Sequence, residues 1–257
     1  MKKTYHMITG LPRSGSSLLT AILKQNPRFH SSITDGFAAS IPKALEACQG
    51  APGMRSEFPD QRKRDLVGAM FDGFYKCVDK EVVFNTSRGW TYLTSIVNDL
   101  YPDARMLVCV RVIKWILDSF ELAFRRNPYT VNSVSFGGLS GSVYSRADSL
   151  MSNDGIVGFA YNGLKQGITS GEKKKLMLVE YDQLCKNPKG MMTAIYNFIG
   201  EPQFEHDFNN VQMSWDEYDA EIGIKLHNVR KKIEYTQRET ILPPDLIHKY
   251  SGLEVWR

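Results

Sequence analysis

Cysteine is scarce in this chain of 257 residues, and its four thiols (Cys48, Cys77, Cys109 and Cys185) stand far apart with no Cys-x-x-Cys pair. That spacing argues against a zinc site and offers no disulfide framework. Cys109, inside an apolar run, reads as a buried thiol. The five histidines lack the spacing of metal ligands, so no metal is expected. Long apolar runs are absent too: none approaches the roughly 18 residues that a membrane span needs. The start, Met1-Lys2-Lys3, is basic, but the apolar stretch after it is too short and too polar for a signal peptide, and the chain reads as cytoplasmic. Charge of one sign is also in short supply. With 32 basic and 28 acidic residues the net charge is only +4, and no basic stripe accompanies it. A nucleic-acid partner is not expected on that basis, whereas a polyanionic small molecule would suit it.

What is present is an alternation of short apolar strands with helical patterns. Strands are expected at residues 4–9, 82–84, 106–110 and 175–179, and helices at 16–25, 36–47, 60–80, 90–100 and 113–124. Such alternation predicts an α/β fold of three layers, with a mainly parallel central sheet flanked by helices. No internal repeat or linker divides the chain, so residues 1–257 are read as one domain. Residues 50–59, rich in Pro and Gly, are expected to form a loop. Residues 127–153, rich in Ser and Gly and without periodicity, are read as a functional lid or a plain excursion.

The first strand runs directly into Gly10-Leu11-Pro12-Arg13-Ser14-Gly15-Ser16-Ser17, and a helix follows. Strand, Gly-x-x-x-x-Gly and helix is how a chain aims backbone N–H groups at a phosphate, with positive potential from the helix N-terminus. The glycine spacing is that of a Walker A loop, but Ser16-Ser17 stands where Lys-Ser or Lys-Thr would be. Without that lysine a triphosphate loses much of its electrostatic support. The loop carries its cation earlier, as Arg13, among the hydroxyls of Ser14, Ser16 and Ser17. A Gly/Ser turn with a Ser N-cap is the bland alternative.

Leu11-Pro12-Arg13-Ser14-Gly15-Ser16-Ser17-Leu18-Leu19 resembles the 5′-phosphosulfate loop of sulfotransferases that use PAPS (3′-phosphoadenosine 5′-phosphosulfate), closest to their bacterial and tyrosyl-protein branches. The strand Met106-Leu-Val-Cys-Val110 ends in Arg111, and Ser119 follows eight residues later. In that family an Arg and a Ser so placed hold the 3′-phosphate, and eight residues of helix is a little over two turns, so both side chains can face one groove. Val179-Glu180-Tyr181-Asp182-Gln183-Leu184 is similar to the family's strand-to-helix segment, with Glu180 in place of an Arg. Residues 83–90, ending Arg88-Gly89-Trp90, resemble a bacterial segment. The catalytic Lys that tyrosyl-protein members carry near Thr86 is missing, which leaves Arg88 as a substitute or as a structural residue. The tail Leu226-His227-Asn228-Val229-Arg230-Lys231-Lys232 resembles the basic loop that closes over the nucleotide.

The resemblance implies PAPS as donor, PAP (3′,5′-adenosine bisphosphate) as product and a hydroxyl-bearing acceptor: sugar, peptide tyrosine or small molecule. The catalytic candidates are Arg13, Asp35 and Arg88. The nucleotide-binding candidates are Arg13, Ser14, Gly15, Ser16, Ser17, Leu18, Arg111, Ser119, Tyr181, Arg230 and Lys231. Asp35 falls nearest the family's glutamate base, with His30 and Glu57 as alternatives and an N-cap role equally open. A degenerate P-loop kinase and a non-catalytic nucleotide-binding protein are the competing readings. The acceptor pocket is assigned to residues 29–58 and 127–153, where Tyr129, Phe136 and Tyr144 would stack on an acceptor or pack the lid.

Overall fold

The computed structural model describes residues 3–33, 36–50, 52–126, 141–222 and 227–257. In chain order the elements are β1 (Thr4–Gly10), α1 (Ser16–Leu23), β2 (Phe29–Ser31), α2 (Phe37–Ala47), α3 (Pro52–Glu57), α4 (Asp60–Phe74) and β3 (Val82–Thr86). After a 3-10 turn (Arg88–Tyr92) come α5 (Thr94–Leu100), β4 (Met106–Val110), α6 (Ile113–Arg126), α7 (Val143–Met151) and α8 (Ile156–Thr169). A second 3-10 turn (Lys173–Lys175) leads to β5 (Leu176–Glu180), α9 (Tyr181–Lys186), α10 (Pro188–Ile199), α11 (Asp216–Ile222) and α12 (Pro244–Lys249).

The five strands form one sheet in the order β2-β3-β1-β4-β5, and every pairing is parallel. Parallel strands need crossovers, and the helices that make them cover both faces, which is why β3 and β4 are apolar almost throughout. Alternate residues go to opposite sides. Met106, Val108 and Val110 join a core with α2, α4, α6, α7, α8 and α12, while Leu107 and Cys109 join a second core with α1, α9 and α10. Cys109 is fully buried, and burial pushes its thiol up to about 12.

From β1 the chain moves toward β2 and β3, and from β4 it moves toward β5. The connections therefore diverge between β1 and β4, and the crevice beyond their carboxyl ends is where open α/β sheets bind ligands. Arg13 follows β1 and Arg111 follows β4, so both motifs open onto that crevice.

Several elements differ from expectation. Residues 52–57, read as loop, form α3, and α4 stops at Phe74 rather than residue 80. Residues 143–151, within the stretch read as a lid or a plain excursion, form α7, which buries Ala147 and Leu150 and takes its N-cap from Ser142. The edge strand β2 is only three residues long, too short for periodicity to reveal. Among the described residues no helix is long and apolar enough to cross a membrane.

Candidate active site

The loop between β1 and α1 is shaped by two close approaches. Gly10 has φ +111°, and a Cβ there would lie 2.1 Å from the Cys109 carbonyl oxygen. That carbonyl accepts the Leu11 N–H at 2.9 Å and faces the Ser14 hydroxyl at 3.0 Å. Ser14 Oγ also contacts the Leu11 carbonyl and is buried, so this hydroxyl fastens the loop to β4 and to itself. Gly15 has φ +94°, and a Cβ there would meet the Tyr181 ring at 2.7 Å.

Gly15, without a side-chain bond, is the N-cap of α1, not a serine as the alternative of a plain Gly/Ser turn required. The Gly15 carbonyl takes its helical bond from Leu19. The N–H groups of Ser16, Ser17 and Leu18 therefore belong to the turn that has no intrahelical acceptor, and they point with the positive end of the helix dipole. Arg13 adopts φ +58°, uncommon for a residue with a side chain.

That backbone turn brings Arg13 to the second motif. Its Nε donates to Ser119 Oγ at 3.1 Å, joining residues 106 positions apart. Arg111 Nη1 donates to the Arg13 carbonyl at 3.4 Å, and its guanidinium lies 4.2 Å from the centroid of the Tyr181 ring. Arg111 Nε is buried with no hydrogen-bond partner among the described residues. Burial, and for Arg13 also the charge of Arg111, lower the affinity of both guanidiniums for their protons. Two such cations side by side with a buried unsatisfied donor are suited to an anion, since hydrogen bonds to charged partners are the strong ones.

The other candidates are distributed unevenly. Arg88 opens the 3-10 turn after β3, where Ser87 Oγ accepts from the Gly89 N–H at 3.2 Å. Arg230 is exposed, and its charge acts on Tyr181. Lys231 contributes a backbone carbonyl that accepts from Val211 at 2.8 Å, while its side chain is exposed. Asp35 lies outside the described residues, as do Tyr129 and Phe136. His30, in β2, packs its ring edge-on against Tyr75, and the charges of Lys24 and Lys80 act on it. Glu57 is exposed and pairs with Arg62 at 3.1 Å. Glu180, where the resemblance expected an Arg, receives one from outside the segment: Arg257 pairs with it at 3.1 Å.

Two further pairings near this site were not apparent in the sequence. Arg238 pairs with the fully buried Asp118, and its charge bears on Arg111. Asp118 Oδ1 also accepts from Thr240 Oγ1 and the Ile241 N–H, both at 2.8 Å. On the other side, Asp219 and His227 are joined at 2.7 Å between Oδ1 and Nδ1. The guanidiniums of Arg13 and Arg88 are both close enough to act on His227. His227 lies within the basic tail, residues 226–232, but nothing in that stretch marks it as the partner of Asp219.

The loop after β1 and the helix after β4 are thus joined by the bond from Arg13 to Ser119. Residues 7–206 match the profile of the sulfotransferase family. No curated protein matches. Among solved structures, a sulfotransferase from Alicyclobacillus acidocaldarius is 19% identical, with 87% of this chain covering 92% of that one at a TM-score of 0.50. The sulfotransferase domain of the Synechococcus PCC 7002 olefin synthase is 16% identical, with coverage of 98% and 89% and a TM-score of 0.50. Retinol dehydratase, solved with retinol and PAP, is 15% identical, with coverage of 98% and 80% and a TM-score of 0.53. These structures share the fold, and the profile, which spans most of the chain, supplies the family: this protein belongs to the sulfotransferases.

Proposed function

We propose that the protein moves a sulfuryl group from PAPS to an acceptor hydroxyl by in-line transfer that needs no metal. The observation that carries this reading is the 3.1 Å bond from Arg13 to Ser119, which unites the loop after β1 with the helix after β4. A phosphate loop alone would serve many nucleotides. A loop whose arginine is tied to a second anion site suits a nucleotide with phosphoryl groups on both its 3′ and 5′ positions.

PAPS, when bound, supplies the sulfuryl group and a 5′-phosphate leaving group. Arg13 and the N–H groups of Ser16, Ser17 and Leu18 would hold that end and offset the charge that grows on the leaving oxygen. Arg111 and Ser119 would hold the 3′-phosphate, Arg111 by a bidentate grip. Tyr181, packed between Gly15 and Arg111, keeps that guanidinium in place. Arg230 and Arg238 add positive potential at the rim. Arg88, in the turn after β3, would supply a second cation to the group in transit. Ser14 serves by fixing the loop.

Calorimetric titration without magnesium tests the reading. PAP should bind at least about tenfold more tightly than ADP or ATP, because each charge-assisted bond to the 3′-phosphate contributes about 1.5–3 kcal/mol. Preference for ATP with a magnesium requirement would return the protein to the kinase class. Transfer from labelled PAPS to a panel of phenols, primary alcohols and sugars would then identify the acceptor.

A further inference from the structure

The transfer proposed above needs a group to take the proton of the acceptor hydroxyl. Of the three residues that the sequence offered, His30 sits in the edge strand β2, Glu57 is exposed and paired with Arg62, and Asp35 lies outside the described residues. The structure contains a different arrangement beside the loop. Asp219, in α11, is buried, and both of its oxygens are used on one residue: Oδ1 faces His227 Nδ1 at 2.7 Å, and Oδ2 accepts the His227 backbone N–H at 3.1 Å.

A carboxylate only accepts, so the Nδ1 of His227 carries the proton and its Nε2 is the basic nitrogen. The segment is held against the body of the fold by an antiparallel ladder. Val229 donates to the Met213 carbonyl and Val211 to the Lys231 carbonyl, each at 2.8 Å, and Val211 and Val229 are buried in the same core as α1. The side chain of His227 is only 15% exposed. The charges that act on it include those of Asp219 from α11, Arg13 from the phosphate loop and Arg88 from the turn after β3.

We propose that His227, oriented by Asp219, is the general base of the reaction, an assignment that rests on the sulfotransferase reading. The acceptor oxygen forms its bond to sulfur as the bond from sulfur to the 5′-phosphate oxygen breaks. That electron pair leaves with the phosphate of PAP, beside Arg13, and the hydroxyl proton passes to His227 Nε2. Asp219 is a positioning residue: it fixes the tautomer and stabilises the imidazolium that forms. Burial first, then the charges of Arg13 and Arg88, hold the imidazole below its ordinary value against the opposing pull of Asp219, so it is neutral and ready to accept at pH 7. Both residues lie beyond the stretch that the family profile matches, residues 7–206.

Long-range nitrogen–proton NMR of the full chain labelled at histidine tests this without an acceptor. The His227 signals, identified by their absence in His227→Gln, should show the Nδ1–H tautomer at pH 7, and Nε2 should shift on saturation with PAP. Asp219→Asn, whose amide can donate to Nδ1, should move the proton to Nε2. Calorimetry should find PAP affinity in His227→Gln within about twofold of the parent, and turnover of labelled PAPS with phenol as probe should fall about 100-fold and lose its acid limb. A His227 that carries its proton on Nε2 or ignores PAP overturns the assignment, as does a variant with full turnover and the acid limb intact. A parent chain that binds no PAP overturns the sulfotransferase reading, and this assignment with it.

Discussion

Arg111 illustrates how a single side chain connects the two halves of the site. It bonds to the backbone of the loop, stacks on Tyr181 and keeps one buried nitrogen without a partner among the described residues. Arg111→Ala should weaken PAP by about 10–100-fold, the loss of one charge-assisted grip, while ADP, with no 3′-phosphate, changes little in the same titration. Equal loss for both nucleotides would mean that Arg111 only supports the loop. Gly15 gives the complementary case. An alanine there combines positive φ with a 2.7 Å contact on Tyr181. Gly15→Ala should therefore cost about 1–3 kcal/mol by urea unfolding and weaken PAP. In the background of Tyr181→Ala the steric part of that cost should shrink, a non-additivity expected of residues in contact. Arg13, Arg111, Ser119 and Tyr181 were legible in the sequence because each sits at a strand's end or on the helix after it, within a run whose order carries meaning. His227, Asp219 and Arg238 were not, because each acts through a tertiary pairing that leaves no local pattern.

At the scale of elements, the expected strands β1, β3, β4 and β5 were found with their ends shifted by no more than two residues, since a buried parallel strand must be apolar on both faces. Elements with mixed composition were missed. α7 is joined to α6 by a buried ion pair, Arg146 with Glu121 at 2.8 Å, and such a residue reads as surface in a sequence. α6 carries a similar hidden dependence. Its first N–H, that of Ile113, donates to Glu254 Oε1 at 3.3 Å, and its buried Asp118 holds the chain at residues 238–241. Asp118→Ala would leave two donors and a guanidinium without their acceptor. Breaking a buried pair from one side costs about 3–5 kcal/mol, which should appear as a lowered urea midpoint with an unchanged m-value. Because Arg238 would also be released from its place near Arg111, PAP binding should weaken in the protein that remains folded.

Across the whole molecule, two histidines set an acid limit to stability. His6 in β1 and His206 after α10 are buried, and burial holds each down to about 4. In the unfolded chain a histidine titrates near 6.5. Between these values the unfolded state binds protons that the folded state does not, so stability is complete above about pH 6.5 and falls as the pH is lowered toward 4. At about 1.4 kcal/mol for each unit of difference, the two together should remove several kcal/mol. His6→Gln with His206→Gln should flatten that part of the curve, as followed by urea midpoints from pH 7 to 4.5.

The all-parallel order β2-β3-β1-β4-β5 has a consequence for how the protein comes to be active. No two neighbouring strands can pair as a local hairpin, and chain closure over long separations must precede the contacts that reward it. The site draws on residues 13, 111, 119 and 181, so no fragment that forms early contains it. A refolding chain should thus stay blind to PAP until its slowest conformational phase, and the nucleotide, added during renaturation, should report the last step of folding rather than the first.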